Sequence, residues 1–301
     1  MVMTESRLSI VIPIYNEDES LPFVLPDLIA YSERNGYPLI LVDDGSTDQT
    51  PEILEQIAQN EFVEVINHRV NRGYGGALKT GILHANAEFT VTLDGDGQHN
   101  PVDIDALLRV ASEEEADLVI GSRPSEVKGN PFRWTGKWII RTFARYLMSM
   151  PVKDLNSGFK LYRTDLVKKY LELCPDSMAF SDIITLVFIN QHHLVLEHPI
   201  SVKERVAGKS TINLFSAFDT LVNVLNIAMM FNPLRFFLPL SFLCLLVGFG
   251  WGVPFIIMGR GVSVGSVLAI VTGLIFFVIG LVASQLAAIR LQLINSRQSH
   301  K

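Results

Sequence analysis

The chain has 301 residues, of which 49% are hydrophobic and 19% are charged, with a mean hydropathy of +0.30 and a formal net charge of -6. Average globular chains carry roughly 25% charged residues, so this apolar composition excludes intrinsic disorder and a small disulfide scaffold. The pI near 5.7 excludes a general nucleic-acid binder, which would be basic. Cys174 and Cys244 lie in different regions, and we expect no disulfide between them.

Residues 1 to about 210 alternate short apolar runs with helical patterns, as a largely parallel α/β sheet does. The apolar runs predict strands at Leu8–Ile14, Leu39–Val42, Val63–Ile66, Phe89–Leu93 and Leu118–Ile120. The segments between them predict helices at Ser20–Glu33, Thr50–Gln59, Gly75–Ala87 and Val102–Ser112. In such sheets ligands bind beyond the carboxyl ends of the strands.

Carboxylates follow three of these strands. The three stretches are Pro13-Ile14-Tyr15-Asn16-Glu17, Asp43-Asp44-Gly45-Ser46-Thr47-Asp48 and Asp94-Gly95-Asp96-Gly97-Gln98-His99. The second stretch has two interpretations, a ligand site or an Asx turn that caps the next helix. The third is harder to explain structurally, because two like charges one residue apart repel each other.

A divalent cation is the simplest compensation for Asp94 and Asp96. The available ligands are oxygens, so Mg²⁺ or Mn²⁺ fits better than zinc. A cation held at this edge would bridge the diphosphate of a nucleotide and neutralise its charge as that group departs.

The usual phosphate-binding motifs are absent. No G-x-G-x-x-G follows the first strand, which argues against a dinucleotide-binding domain, and the lack of a P-loop motif excludes the P-loop class. The glycine-rich stretch Arg72–Ala77 has two interpretations: a phosphate cradle at a helix start, or a tight turn with close helix packing, which we favour.

The C-terminal third carries two long apolar runs. Phe236–Gly259 and Gly261–Ile289 contain no Asp, Glu, Lys, Arg or His, and each exceeds the ~20 residues that cross a bilayer. They predict a transmembrane hairpin with spans at about 236–258 and 264–288. Lysines and arginines flank the hairpin on both sides, against a lone Arg260 in its connection. The protein is therefore expected to be a multi-pass protein of the plasma membrane with its catalytic domain and both termini in the cytoplasm.

These patterns predict a catalytic domain at 1–210, a juxtamembrane amphipathic helix at 211–232, two spans within 233–290 and a tail at 291–301. Residues 132–146 mix aromatic and basic side chains, which fits either an interfacial helix or a core-packing helix with a basic face.

Four motifs, in this order, resemble the family 2 glycosyltransferases of the GT-A fold, in particular their polyprenyl-phosphate branch. They are Pro13-x-Tyr15-Asn16-Glu17, Val42-Asp43-Asp44-Gly45-Ser46-x-Asp48, Asp94-x-Asp96-x-Gln98-His99 and Asp154-x-x-Ser157-Gly158-Phe159. The resemblance covers roughly residues 7–215, and the two-span tail is similar to that of bacterial and archaeal members. It implies an α/β GT-A domain with a mostly parallel sheet flanked by helices.

The resemblance also implies roles for individual residues. The nucleoside would be held by Pro13, Tyr15, Glu17, Val42 and Asp44, with Asp43 supporting the turn. The DXD motif residues Asp94 and Asp96, with Gly95 between them, and Gln98 would hold the metal and the diphosphate. The phosphate of the acceptor would face Arg123, Arg133 and Lys137.

Two further assignments leave alternatives open. Asp182 lies where many family members place a catalytic base, but it also suits the first turn of a helix. Arg205, Lys209 and Ser210 resemble the family's Arg-x-x-Gly-x-Ser-Lys lid, except that Thr211 occupies the position of the final lysine, which Lys209 would have to replace.

The implied reaction is an inverting, metal-dependent transfer of a sugar from a UDP- or GDP-sugar to the phosphate of undecaprenyl or dolichyl phosphate. A phosphate monoester is already mostly anionic at neutral pH, so it needs positioning by cations more than a general base. The expected partners are the nucleotide sugar, the lipid phosphate and the membrane; homo-oligomerisation is left open.

Two other functions remain at this point. A processive polysaccharide synthase would need more spans and a Gln-x-x-Arg-Trp motif, from which Asn130–Trp134 departs at its first position. A non-catalytic, membrane-anchored nucleotide-sugar-binding scaffold would have no need of Asp94, Asp96 and Gln98.

Overall fold

The computed structural model describes residues 6–123, 152–201 and 233–298, together with the single position 229, and it describes side chains as far as residue 289. The chain divides into two compact units, one containing the sheet and the other the apolar C-terminal helices. The segments 132–146 and 211–232, for which helices were considered, lie outside the described residues.

The first unit contains a seven-stranded sheet in its described part. The strands are β1 Leu8–Ile14, β2 Leu39–Asp43, β3 Val63–Asn67, β4 Phe89–Thr92, β5 Leu118–Ser122, β6 Lys160–Arg163 and β7 Val195–Pro199. Their order is β3-β2-β1-β4-β6-β5-β7, and every neighbouring pair is parallel except those of β6, which runs antiparallel to β4 and to β5. The predicted mostly parallel α/β sheet is confirmed.

Helices pack against this sheet. They are α1 Leu21–Asn35, α2 Thr50–Ile57, α3 Tyr74–His84, α4 Val102–Glu113, α5 Thr164–Tyr170 and α6 Phe180–Asn190, and a 3-10 turn follows α5 at Leu171–Leu173. The first four lie within a few residues of the helices expected from the sequence. Ser20 precedes α1, but its hydroxyl donates to Glu17 Oε2 at 2.6 Å and makes no capping bond with the helix.

The strands that build the site are buried along almost their whole length. Every residue of β2 and β4 is buried, and so is all of β1 except Pro13. Burying an aliphatic side chain in this way contributes roughly 1.5–3 kcal/mol. The helix α3 lies close on β1, because a Cβ at Gly81 would collide with the side chain of Val11. The strand ends are therefore held rigidly.

The second unit is a helical hairpin made of α7 Pro233–Ile257 and α8 Val264–Gln298. Pro233–Ile257 and Val264–Ile289 have mean hydropathies of 2.2 and 2.7 and are long enough to cross a membrane. The connection turns through Gly259 and Gly261, whose φ angles of 69° and 78° suit glycine.

Small residues line the contact between the two hairpin helices. A Cβ at Gly248 would lie 3.0 Å from the backbone nitrogen of Ile270 and 3.1 Å from the carbonyl oxygen of Ser266, whereas a Cβ at Gly250 would meet nothing within 4 Å. In lipid, close backbone approach at small residues is a main source of helix–helix affinity.

We expect Gly248→Ala to destabilise the hairpin by about 1–3 kcal/mol, since backbone atoms cannot move aside cheaply. Gly250→Ala is the matched control and should leave stability unchanged or slightly raised. Thermal unfolding of the full chain in detergent measures both, and equal melting temperatures for the two variants would contradict this packing.

Candidate active site

The loops that follow β1 and β2 are fastened to each other. The backbone N–H of Asn16 donates to Ser46 Oγ at 2.9 Å, and the N–H of Thr47 donates to Asn16 Oδ1 at 2.8 Å. The N–H of Glu17 donates to Thr50 Oγ1 at 2.9 Å. Asn16 reaches this position with a φ of 52°, which asparagine tolerates better than most residues. The two strand ends therefore form one continuous edge.

The residues expected to hold a nucleoside lie along this edge. Pro13 and Val42 are register partners near the ends of β1 and β2. The Tyr15 side chain is 45% exposed. The Glu17 carboxylate accepts the Ser20 hydroxyl. The structure thus brings the four residues to the edge, and their contacts with a nucleoside stay a prediction.

The stretch after β2 contains an Asx turn, formed by Asp48. Asp43, buried, accepts the N–H of Ser46 on Oδ1 at 3.0 Å, and Asp48 Oδ1 accepts the N–H of Thr50 at the start of α2 at 3.0 Å. Burial raises the pKa of Asp48, but its hydrogen bonds with Thr50 and Asp18 outweigh this and hold that pKa below its ordinary value.

Asp44 holds the chain segment that precedes α3. Its Oδ1 accepts the N–H of Arg72 at 2.9 Å and lies 2.7 Å from His68 Nδ1, while its Oδ2 accepts the N–H of Gly73 at 2.8 Å. His68 continues the chain of contacts to Thr80 Oγ1 at 2.9 Å. Both oxygens of this buried carboxylate are occupied by the protein itself. Its contact with a nucleoside stays a prediction.

The glycine-rich stretch packs tightly, as favoured from the sequence. Gly73 has a φ of 88°, and a Cβ at Gly73 or Gly75 would collide with backbone carbonyls of the 175–177 segment. The N–H of Gly76 donates to the carbonyl of Asp176 at 3.2 Å. This packing places Tyr74, the first residue of α3, next to the loop after β4.

Asp94, the second residue of that loop, is oriented by several groups. Its Oδ1 accepts the Tyr74 hydroxyl at 2.9 Å, and its Oδ2 lies 3.9 Å from His99 Nε2. The Gly158 backbone lies so close that a Cβ there would stand 2.5 Å from both carboxylate oxygens. Burial raises the pKa of Asp94, but the hydrogen bonds and charges of His99, Tyr74 and Arg123 hold it below the ordinary value.

Asp96 and Gln98 complete the candidate metal ligands. Asp96 is 6% exposed, and its Oδ1 accepts the N–H of Gln98 at 3.1 Å. Among the residues the structure describes, no three His, Cys, Asp or Glu side chains are grouped to hold a metal by themselves. Mg²⁺ commonly takes one or two carboxylates and completes its shell with water and substrate phosphates. This oxygen donor set therefore fits a cation that shares its shell with a diphosphate.

Arg123 lies just beyond β5 and is held by Asp154. Its Nε and Nη2 donate to Asp154 Oδ2 and Oδ1 at 2.9 and 3.0 Å, and its backbone N–H donates to Oδ2 at 3.1 Å. The backbone N–H of Asp154 in turn donates to Glu197 Oε1 at 2.8 Å. The hydrogen bond with Asp154 raises the pKa of Arg123, and the charges of Asp94 and Asp96 raise it further. The guanidinium therefore lies within the field of the acidic edge.

Sequence reasoning missed one buried cation, Lys160. Its side chain has no exposed surface, and its Nζ donates to the carbonyls of Leu155, at 2.7 Å, and of Ser181. Burial lowers its pKa to about 8, against the opposing charges of Asp182 and Asp154. The sequence signal that could have revealed it is the position of Lys160 between two apolar residues, Phe159 and Leu161.

Asp182 lies in the first turn of α6. Burial raises its pKa and the charge of Lys160 partly opposes this. This position matches the helix N-terminal interpretation, and its role as a base stays a prediction. Arg133, Lys137, Arg205, Lys209, Ser210 and Thr211, assigned to the acceptor phosphate and the lid, lie outside the described residues.

Comparison with known proteins identifies the class. Residues 9–171 match glycosyl transferase family 2 and residues 232–289 match the GtrB C-terminal hairpin. The chain belongs to glycosyl transferase family 2 and is a glycosyltransferase, located at a membrane through its hairpin. The non-catalytic scaffold is thereby excluded.

The curated relatives are more specific. The chain is 31% identical to the undecaprenyl-phosphate 4-deoxy-4-formamido-L-arabinose transferase of Photorhabdus laumondii, over 73% of this chain and 67% of that one. It is 30% identical to the transferase of the same name from Proteus mirabilis, over 84% and 77% of the two chains. These names confirm the resemblance to polyprenyl-phosphate glycosyltransferases.

Solved structures show the same fold at low identity. Glucosyl-3-phosphoglycerate synthase from Mycobacterium tuberculosis, in complex with phosphoglyceric acid, superposes with a TM-score of 0.57 at 17% identity, over 73% of this chain and 79% of that one. Another structure of that enzyme, with a TM-score of 0.55 at 16% identity over the same shares, holds Mn²⁺ and UDP-glucose.

We expect Asp44→Ala to release the segment before α3, because three contacts to one carboxylate are lost. Hydrogen bonds to a charged group contribute about 1.5–3 kcal/mol each, so trypsin should cut after Arg69 and Arg72 at least ~10-fold faster in limited proteolysis. Glu64→Ala, which removes an exposed carboxylate paired with His84, is the control. Equal cleavage of both variants would show that Asp44 does not hold this segment.

Proposed function

We propose that this glycosyltransferase moves a sugar, with inversion, from a UDP- or GDP-sugar to the phosphate of a polyprenyl phosphate in the membrane. One observation carries the proposal. Asp94 and Asp96, which follow β4 and suit a metal diphosphate, lie on the same sheet edge as Arg123, which follows β5 and suits a second phosphate. The chain also carries an apolar hairpin, which supports a lipid as the molecule that bears this second phosphate.

On the donor side, Asp94, Asp96 and Gln98 would hold Mg²⁺ or Mn²⁺. When bound, the cation would neutralise the charge of the departing nucleoside diphosphate. Tyr15 offers an exposed ring at the edge for the nucleoside, and the Tyr74 hydroxyl donates to Asp94 Oδ1 and restrains that carboxylate. The M. tuberculosis synthase, whose structure holds Mn²⁺ and UDP-glucose, supports the assignment of a cation to this edge.

On the acceptor side, Arg123 would grip the lipid phosphate. Its guanidinium has five N–H donors, and Asp154 accepts one from Nε and one from Nη2. Asp154 thereby fixes the plane of the guanidinium before the acceptor arrives, which reduces the ordering needed on binding. Arg133 and Lys137 would add charge to the same phosphate.

The attacking oxygen belongs to a phosphate that is already anionic near neutral pH. It needs orientation in line with the departing diphosphate, and that attack inverts the anomeric carbon. Asp182 is assigned a secondary role as base for the same reason. Arg205 and Lys209 would close over the diphosphate, and both termini and the catalytic domain would face the cytoplasm.

A donor panel tests the proposal directly. Membranes containing the protein are incubated with radiolabelled UDP- and GDP-sugars, undecaprenyl phosphate and Mn²⁺. We expect label from one donor to enter a solvent-extractable product that mild acid releases. Label that stays in the aqueous phase, or that enters a polymer, would contradict the proposal, and the polymer would favour a polysaccharide synthase.

We expect Asp96→Ala to lower kcat/KM for transfer by about 10²–10³-fold, because it removes a ligand of the charge-neutralising cation. Circular dichroism and thermal unfolding should resemble those of the wild type. Asp165→Ala, at an exposed carboxylate beside Arg163, is the control and should transfer normally. Full activity of Asp96→Ala would refute the metal assignment.

We expect Arg123→Ala to raise the KM for the lipid phosphate about 10–100-fold, because a charge-assisted contact is lost. Arg163→Ala removes a second half-exposed arginine that pairs with a neighbouring aspartate, Asp165, and it should not change acceptor kinetics. Steady-state kinetics at varied undecaprenyl phosphate decide the matter. An increase confined to the KM for the donor would show that Arg123 acts on the donor and not on the acceptor phosphate.

A further inference from the structure

Lys160 is a cation in a place where a cation costs free energy. It is the first residue of β6, and its register partners are Thr92 of β4 and Ile120 of β5. Its side chain has no exposed surface. An ammonium group removed from water carries a penalty of several kcal/mol, and an apolar side chain of similar volume is often neutral or stabilising at such a site. Core packing alone does not explain a lysine here.

The contacts of Lys160 join two separate segments. Its Nζ donates to the carbonyl of Leu155, one residue after Asp154, and to the carbonyl of Ser181, one residue before Asp182. The first segment orients Arg123 through Asp154. The second is the first turn of α6. One ammonium group therefore connects the segment of Asp154, which holds Arg123, to the helix that carries Asp182.

Charge adds to the hydrogen bonds. The carboxylates of Asp182, Asp154 and Asp94 all act on Lys160, in that order of strength. Lys160 in return opposes the rise that burial causes in the pKa of Asp182, and it adds to the lowering of the pKa of Asp154. The donor-side stretch Asp43–Asp48 contributes no contact to this cluster among the residues described. The hydrogen bonds of Lys160 reach the segments of Asp154 and Asp182, and the charge of Asp94, on the donor side, also acts on it.

We propose that Lys160 is a positioning residue for the acceptor side of the site, fixing the Asp154–Arg123 ion pair and the first turn of α6 relative to each other. This inference rests on the proposed function, because it takes Arg123 as the group that faces the acceptor phosphate. Lys160 is buried away from solvent, so it acts through these segments and not by touching substrate.

The test variant is Lys160→Met, which keeps the length of the side chain but removes the charge and the donors. We expect kcat/KM for undecaprenyl phosphate to fall about 30–100-fold, since a misplacement of about 1 Å costs up to 10²-fold in rate. The Kd for UDP or GDP with Mn²⁺, measured by calorimetry on the full chain in detergent, should change less than ~3-fold, because both hydrogen bonds of Lys160 go to residues that are not assigned to the donor.

Thr164→Val is the matched control. It removes a buried hydroxyl that is 2.8 Å from Thr90 Oγ1, just beyond the opposite end of β6, and should leave the acceptor kinetics within ~2-fold. If Lys160→Met does not fold, Lys160→Gln takes its place: it keeps two N–H donors but has no charge and a shorter reach. An equal loss of donor affinity and acceptor kinetics, or the same defect in Thr164→Val, would overturn the inference.

Hydrogen exchange separates this inference from the proposed function. In the Lys160 variant, backbone amides of residues 152–158 and 179–183 should exchange faster, while those of 43–49 should not. If the wild type transfers no sugar to lipid, the proposed function fails, and exchange alone then decides whether Lys160 holds the two segments. Unchanged amide exchange in both 152–158 and 179–183 would refute the role of Lys160.

Discussion

The structure depends on how one sheet edge compensates its negative charge. Parallel strands deliver Asp43, Asp44, Asp94 and Asp96 to a single edge, and like charges there must be neutralised. Asp43 and Asp44 are satisfied by backbone N–H groups and by His68, so they shape the loops. Asp94 accepts the Tyr74 hydroxyl and Asp96 accepts the N–H of Gln98, and the proposed cation would neutralise the charge that remains. Identical side chains therefore take different roles according to what donates to them.

The antiparallel strand β6 explains how one segment contacts both Asp94 and Arg123. It lies between β4 and β5, and its first residue pairs with Thr92 on one side and Ile120 on the other. Because β6 runs in the opposite direction, the chain that precedes it, including Gly158 and Asp154, lies at the carboxyl ends of β4 and β5. Gly158 can then support Asp94 while Asp154 holds Arg123. A wholly parallel sheet would place this segment at the opposite edge.

The sequence predicted those elements whose positions follow from the pattern of hydrophobic residues. The five N-terminal strands, the four helices around them and the apolar hairpin all lie within a few residues of their expected bounds, and the family is confirmed. The elements β6, α5, α6 and β7 were not predicted. The Lys-Leu-Tyr-Arg sequence of β6 is charged at both ends, and one of the two carbonyls that satisfy its buried lysine lies 21 residues away in the chain. The engagement of Asp44 was equally hidden, since its partners lie more than twenty residues away.

The central claim, that Asp94 and Asp96 bind a cation shared with a nucleoside diphosphate, is tested most directly by anomalous diffraction from crystals grown with Mn²⁺ and UDP or GDP. The account predicts one manganese peak within about 2–2.5 Å of oxygens from both carboxylates and from the diphosphate. Nucleotide bound at this edge with no manganese peak between the two carboxylates would contradict it.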